Sequence, residues 1–157
     1  MTYNYNIKEI KKKVDVCLGI LFKNDACLLQ IEVNERAVSH KLAEYLQQEF
    51  PDWNVDCEYN RRESDIKTLR GIHECSNKRK TDRVSPDIII HKRKKDDNLL
   101  VIEIKIDTDD PCDIKKLEKF TSNSGEFKYK HGLFIKFNSD NEKPTLRWFR
   151  NGQKISR

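Results

Sequence analysis

Asp87, Glu103 and Lys105 are residue types that can do chemistry together, and they stand in two neighbouring apolar runs. The first run is Arg83-Val84-Ser85-Pro86-Asp87-Ile88-Ile89-Ile90-His91. The second is Leu99-Leu100-Val101-Ile102-Glu103-Ile104-Lys105-Ile106-Asp107. Both have the Ile- and Val-rich composition of buried strands. The polar stretch 92–98 between them suits a turn, so the pair is expected to form a hairpin. Burying a charge is expensive unless it is paired or binds a metal, yet Asp87 opens one strand and Glu103 interrupts the other. Side chains alternate along a strand, which puts Glu103 and Lys105 on one face and Ile102, Ile104 and Ile106 on the other. If the hairpin pairs Asp87 near Glu103, two carboxylates and an ammonium meet at one point. That is a hard-cation site with a lysine beside it.

The plain structural reading of Glu103 and Lys105 is an exposed ion pair on an edge strand, and of Asp87 a turn residue after proline. The apolar residues on both sides of Glu103 argue instead for a central strand.

The elements that must position these residues follow from periodicity. Residues 7–22 carry Ile7, Ile10, Val14, Cys17, Leu18 and Leu21 at helical spacing, with a lysine-rich opposite face that reads as solvated. Asn24-Asp25 is expected to break this helix, and 26–31 fits either a short strand or a helical turn. A second helix is expected from Asn34, as N-cap, to Glu49, with Val38, Leu42, Tyr45 and Leu46 on its apolar face. Glu35 projects from that buried side. Trp53, Val55, Cys57 and Tyr59 alternate as one face of a half-buried strand. After the hairpin, Asp110 as N-cap and Pro111 at the first helical position start a third helix, with Ile114, Leu117 and Phe120 or Thr121 toward the sheet. Lys115, Lys116 and Lys119 read as solvated, with Lys116 able to reach a phosphate. Residues 132–137 form another strand, 144–149 an edge strand, and Asn151-Gly152 a turn.

The chain of 157 residues is expected to be one domain, with 1–33 as an N-terminal helical extension and 61–83 as a basic insertion. That insertion holds eight basic and four acidic side chains, most of the chain's net charge of +5. Such a charge permits nucleic-acid binding without demanding it. His73-Glu74-Cys75 lies there too, but adjacent residues rarely converge on one ion. Five cysteines, none in Cys-x-x-Cys spacing, argue against a disulfide framework or zinc knuckle and for a reducing, cytoplasmic setting. The polar start suggests no secretory leader, and no apolar run is long enough to span a membrane.

Pro86-Asp87 followed by Glu103-Ile104-Lys105 resembles the signature of the PD-(D/E)xK nuclease superfamily. Asn34-Glu35-Arg36, Val55-Asp56-Cys57-Glu58-Tyr59-Asn60-Arg61 and the Pro-Asp strand, in that order, are similar to a group of its small single-domain members. The resemblance covers about residues 30–140 and implies an α/β (α+β) chain with a restriction-endonuclease-like αβββαβ core. In that core a central mixed sheet is flanked by helices, here with an extra N-terminal helix. It implies a metal-dependent DNA endonuclease using Mg2+ or Mn2+. Asp87, Glu103 and the backbone carbonyl of Ile104 would hold the metal. Lys105 would orient or deprotonate the water or stabilise the phosphate, and Glu35 would serve a second metal. Arg61, Lys78, Arg79, Lys80, Arg83 and Lys116 are the candidate contacts to DNA, the expected partner, and a homodimer is compatible with this reading. Two other classes stay open: a nucleic-acid-binding or regulatory module that keeps the fold without cleaving, and a ribonuclease.

Overall fold

A computed structural model describes residues 3–30, 35–57, 85–140 and 143–156. The elements run α1 (Ile7–Asp25), α2 (Cys27–Gln30), α3 (Glu35–Glu49), β1 (Asn54–Cys57), β2 (Ile88–Lys92), β3 (Asp97–Ile106), α4 (Pro111–Thr121), β4 (His131–Phe137), β5 (Thr145–Arg150) and β6 (Gln153–Ile155). The strands form one six-stranded mixed sheet in the order β1-β2-β3-β4-β5-β6. Each neighbouring pair is antiparallel except β3 and β4, which run parallel and are joined through α4.

The sheet is covered on both faces, which explains why β2 and the middle of β3 read as unbroken apolar runs. On one face α1 and α3 pack Ile10, Val14, Leu21, Val38, Leu42 and Leu46 against Ile88, Ile90, Ile102, Ile104, Leu133 and Ile135. On the other face α4 sets Leu117 and Phe120 against Ile89, Val101, Phe134 and Phe149. Gly132 lets α4 approach β4 closely: a Cβ there would stand 3.0 Å from Thr121 Cγ2 and 3.3 Å from Phe149 Cβ.

Local signals place the helices. Asn6 and Glu9 cap α1 reciprocally, in a capping box. Asp110 caps α4 by accepting the Cys112 N–H at 2.9 Å, with Pro111 at the first position, as expected.

Two expectations are corrected, and one left open is decided. The first helix does not stop before Asn24-Asp25 but runs through Asp25, whose carboxylate is tied to the Tyr45 hydroxyl on α3. The ambiguous stretch 26–31 is helical over Cys27–Gln30. The strand over 145–150 is not an edge, because Asn151-Gly152 turns the chain back into β6, which pairs with it. The expected cap Asn34 and strand residue Tyr59 lie outside the described residues. No helix among the described residues is long and apolar enough to cross a membrane.

Candidate metal and catalytic site

The candidate site lies beside β3, where Glu103 and Lys105 both project to the α4 face. Ile88 pairs with Ile102, which brings Asp87, one residue before β2, alongside Glu103. Asp87 Oδ2 accepts the backbone N–H of Ile104 at 2.7 Å. Past the end of β2, a side-chain oxygen thus stands in for a backbone acceptor. The Glu103 side chain is 3% exposed. Burial pushes the Asp87 carboxyl up, partly offset by the Ile104 N–H and by its bond to Glu103. Burial pushes Glu103 up much further, and the charge on Asp87 adds to that. The two carboxyls therefore titrate as a coupled pair, with Lys116 opposing the rise at both.

Lys105 is where the first turns of two helices on opposite faces of the sheet come together. Its Nζ lies 3.6 Å from Glu35 Oε2 in α3, 3.5 Å from Asp113 Oδ2 in α4 and 4.0 Å from Asp110 Oδ2 at the α4 cap. Burial alone would pull its amine down, but Asp113, Glu35, Asp110 and Asp87 outweigh it and hold the ammonium above its usual range. Both Glu35 and Asp113 sit in first turns, where the helix dipole favours a negative charge. Just beyond Lys105, β3 ends at Ile106 and Asp107 follows it. This residue adopts a left-handed backbone (φ 61°), and its carboxylate accepts the Ser139 N–H at 2.9 Å.

α4 supplies a second lysine. Lys116 Nζ donates to Asp113 Oδ1 at 2.8 Å and lies 4.0 Å from Glu103 Oε2. Burial lowers its pKa, but Glu103, Asp113 and Asp87 raise it further, so it too stays charged.

Four predicted residues, Asp87, Glu103, Lys105 and Glu35, therefore share one cluster. The contact of Glu35 there is with Lys105. Lys116 is a correction: it turns into the carboxylate cluster, its side chain 20% exposed, and is not on a solvated face. Asp113 went unread as a site residue although its side chain is only 2% exposed. The signal was available: Asp113 shares the helical stripe of Leu117, Phe120 and Thr121, all of them buried. The predicted contacts Arg61, Lys78, Arg79, Lys80 and Arg83 lie outside the described residues.

The hairpin turn is tied to the neighbouring strand β1. Arg93 Nε donates to Asp56 Oδ2 at 3.0 Å, and that oxygen is 2.7 Å from Nε2 of the fully buried His91. Arg93 and His91 together hold the Asp56 carboxyl below its usual range, against the effect of burial.

Among the described residues no group of three His, Cys, Asp or Glu side chains is arranged around a metal position. Glu103 Oε1 and Asp113 Oδ2 are buried and accept no hydrogen bond among the described residues. Buried carboxylate oxygens without donors are what a cation would satisfy. The oxygen-only set suits Mg2+ or Mn2+ over zinc, and Mg2+ is commonly held by one or two carboxylates with water completing its shell. The residues thus fit such an ion as a carboxylate pair, not as a closed cage. Comparison of the chain with family models, with curated proteins and with solved structures found no match.

Proposed function

We propose that this chain is a metal-dependent phosphodiesterase that cleaves DNA. Its restriction-endonuclease-like αβββαβ core would be formed by α3, β1, β2, β3, α4 and β4. The observation that carries this reading is the convergence of Asp87, Glu103 and Lys105 beside one central strand, with Asp87 bonded to the backbone between the other two. The element order and the parallel β3–β4 pair support it.

Asp87, Glu103 and the Ile104 carbonyl would hold the ion. That carbonyl points to the same strand edge as the Ile104 N–H, the edge Asp87 approaches. When bound, Mg2+ or Mn2+ supplies an activated water and neutralises phosphate charge. The chain's own residues do the rest. Asp87 and Glu103 would hold the ion as carboxylates. Lys105 is held as an ammonium by four acids, which supports a role in stabilising phosphate charge and disfavours a role as proton acceptor. Glu35 fixes Lys105 from the α3 side at 3.6 Å, which supports a positioning role over service to a second metal.

The alternative, a nucleic-acid-binding module that does not cleave, is favoured by one observation: Lys105 and Lys116 already neutralise much of the acidic cluster. A cleavage assay on plasmid, single-stranded DNA and RNA with Mg2+ or Mn2+ separates the readings. Nicking lost in EDTA and in Asp87→Ala and Lys105→Ala supports the nuclease. Undiminished nicking by either variant removes the assignment, and binding of plasmid without cleavage favours the alternative.

A further inference from the structure

Five acids and two lysines make up the cluster: Glu35, Asp87, Glu103, Asp110 and Asp113 with Lys105 and Lys116. Lys105 is committed to the helix termini. Lys116 is placed differently, because its ammonium lies against the innermost carboxylates, bonded to Asp113 and 4.0 Å from Glu103. It does not complete them. The distance to Glu103 is an ion-pair separation and not a hydrogen bond, and Glu103 Oε1 accepts no hydrogen bond among the described residues, while Asp113 Oδ2 faces Lys105 at 3.5 Å. A lysine carries a compact charge on a flexible stem, so it can leave such a position without disturbing the helix that bears it. The partial exposure of this side chain gives the ammonium a way out to solvent.

We propose that Lys116 is a built-in cation of this site: it holds the Glu103–Asp113 carboxylates in the metal-free protein and is displaced from Glu103 when a divalent ion binds. This rests on the metal-site reading above. Metal uptake then exchanges a single positive charge for a double one, and Glu103 Oε1, which accepts no hydrogen bond among the described residues, gains a partner. Two consequences follow from electrostatics. Without Lys116 the buried acids lose their counter-charge in the metal-free state. Without Lys116 the incoming ion also meets no competing ammonium a few ångströms from its ligands.

The test is calorimetric titration of Mg2+ into wild type, Lys116→Met and Asp87→Asn, with melting curves in EDTA. The expected result is binding by wild type, loss of binding in Asp87→Asn, and binding about tenfold tighter or more in Lys116→Met, which also melts several degrees lower in EDTA. A second measurement uses the wild type alone. Reductive methylation of the folded protein, read by mass spectrometry, should label Lys116 slowly without Mg2+ and faster with it. It decides the matter where Lys116→Met does not fold. Wild-type binding that survives Asp87→Asn, or no binding at all, removes the metal site and this proposal with it. Binding that depends on Asp87 but is no tighter in Lys116→Met, with Lys116 labelling unchanged by Mg2+, overturns this proposal and leaves the metal site standing.

Discussion

The backbone N–H of Ile104 donates to Asp87 Oδ2 across 2.7 Å, so a single carboxylate serves the sheet and the candidate site at once. Its two roles separate under substitution. Asp87→Asn keeps a carbonyl oxygen for the Ile104 N–H while removing the charge beside Glu103. Its metal-free melting temperature should equal or exceed that of wild type. Asp87→Ala leaves the N–H without its acceptor and should cost about 1–3 kcal/mol. Thermal melts of both in EDTA check this, and an Asn variant as unstable as the Ala variant would contradict it.

Glu103 makes the metal-free protein sensitive to alkali. Its folded-state carboxyl is held well above the ordinary glutamate value of 4.5, chiefly by burial. The stability it contributes is complete below pH 4.5 and is lost as pH rises through the raised value. Denaturant midpoints in EDTA should therefore fall with rising pH above 4.5, and Glu103→Gln should flatten that dependence. A slope unchanged in Glu103→Gln would assign it to another group.

His131 pulls the other way. Burial, with Arg150, Lys130 and Lys11 nearby, lowers its pKa from 6.5 to about 4. Its contribution is present above pH 6.5 and is lost as pH falls toward 4, on the order of 2 kcal/mol after allowance for solvent screening. His131→Leu should remove this acid-side loss. The double variant with Glu103→Gln should show the flattest profile between pH 4 and 7.

Lys105 bears on activity if the nuclease reading holds. Lys105→Met should lower single-turnover cleavage in Mg2+ by about a hundredfold or more, with DNA affinity in Ca2+ much less affected. Equal losses in rate and affinity would make Lys105 a binding residue instead.

Much of this arrangement is legible in the residues. Ile and Val runs mark β2 and β3, alternation puts Glu103 and Lys105 on one face, and Asp110-Pro111 marks the start of α4. What escapes is what depends on tertiary packing. An Asp in the first turn of a helix is favoured by the dipole whether or not it is buried, so residue type and capping position alone suit a solvated acid at 113, and only its place on the stripe of Leu117 and Phe120 marks it as buried. Lys116 looks exposed as well, since Glu103, which draws it inward beside Asp113, arrives from β3. Asn24-Asp25 reads as a helix stop, and only the tie to Tyr45 twenty residues later carries the helix through it. β6 is three residues long, too short for alternation to register.

The parallel pairing of β3 with β4 has a consequence for the order in which the molecule assembles. β2 and β3 are neighbours along the chain and can close as a hairpin, an event of microseconds. Parallel partners need the whole α4 crossover in place, and such non-local pairing is slow. Asp87 and Glu103 are therefore set side by side before α4 delivers Lys116 and Asp113. During refolding the acids wait for their cation, and the docking of α4 supplies it.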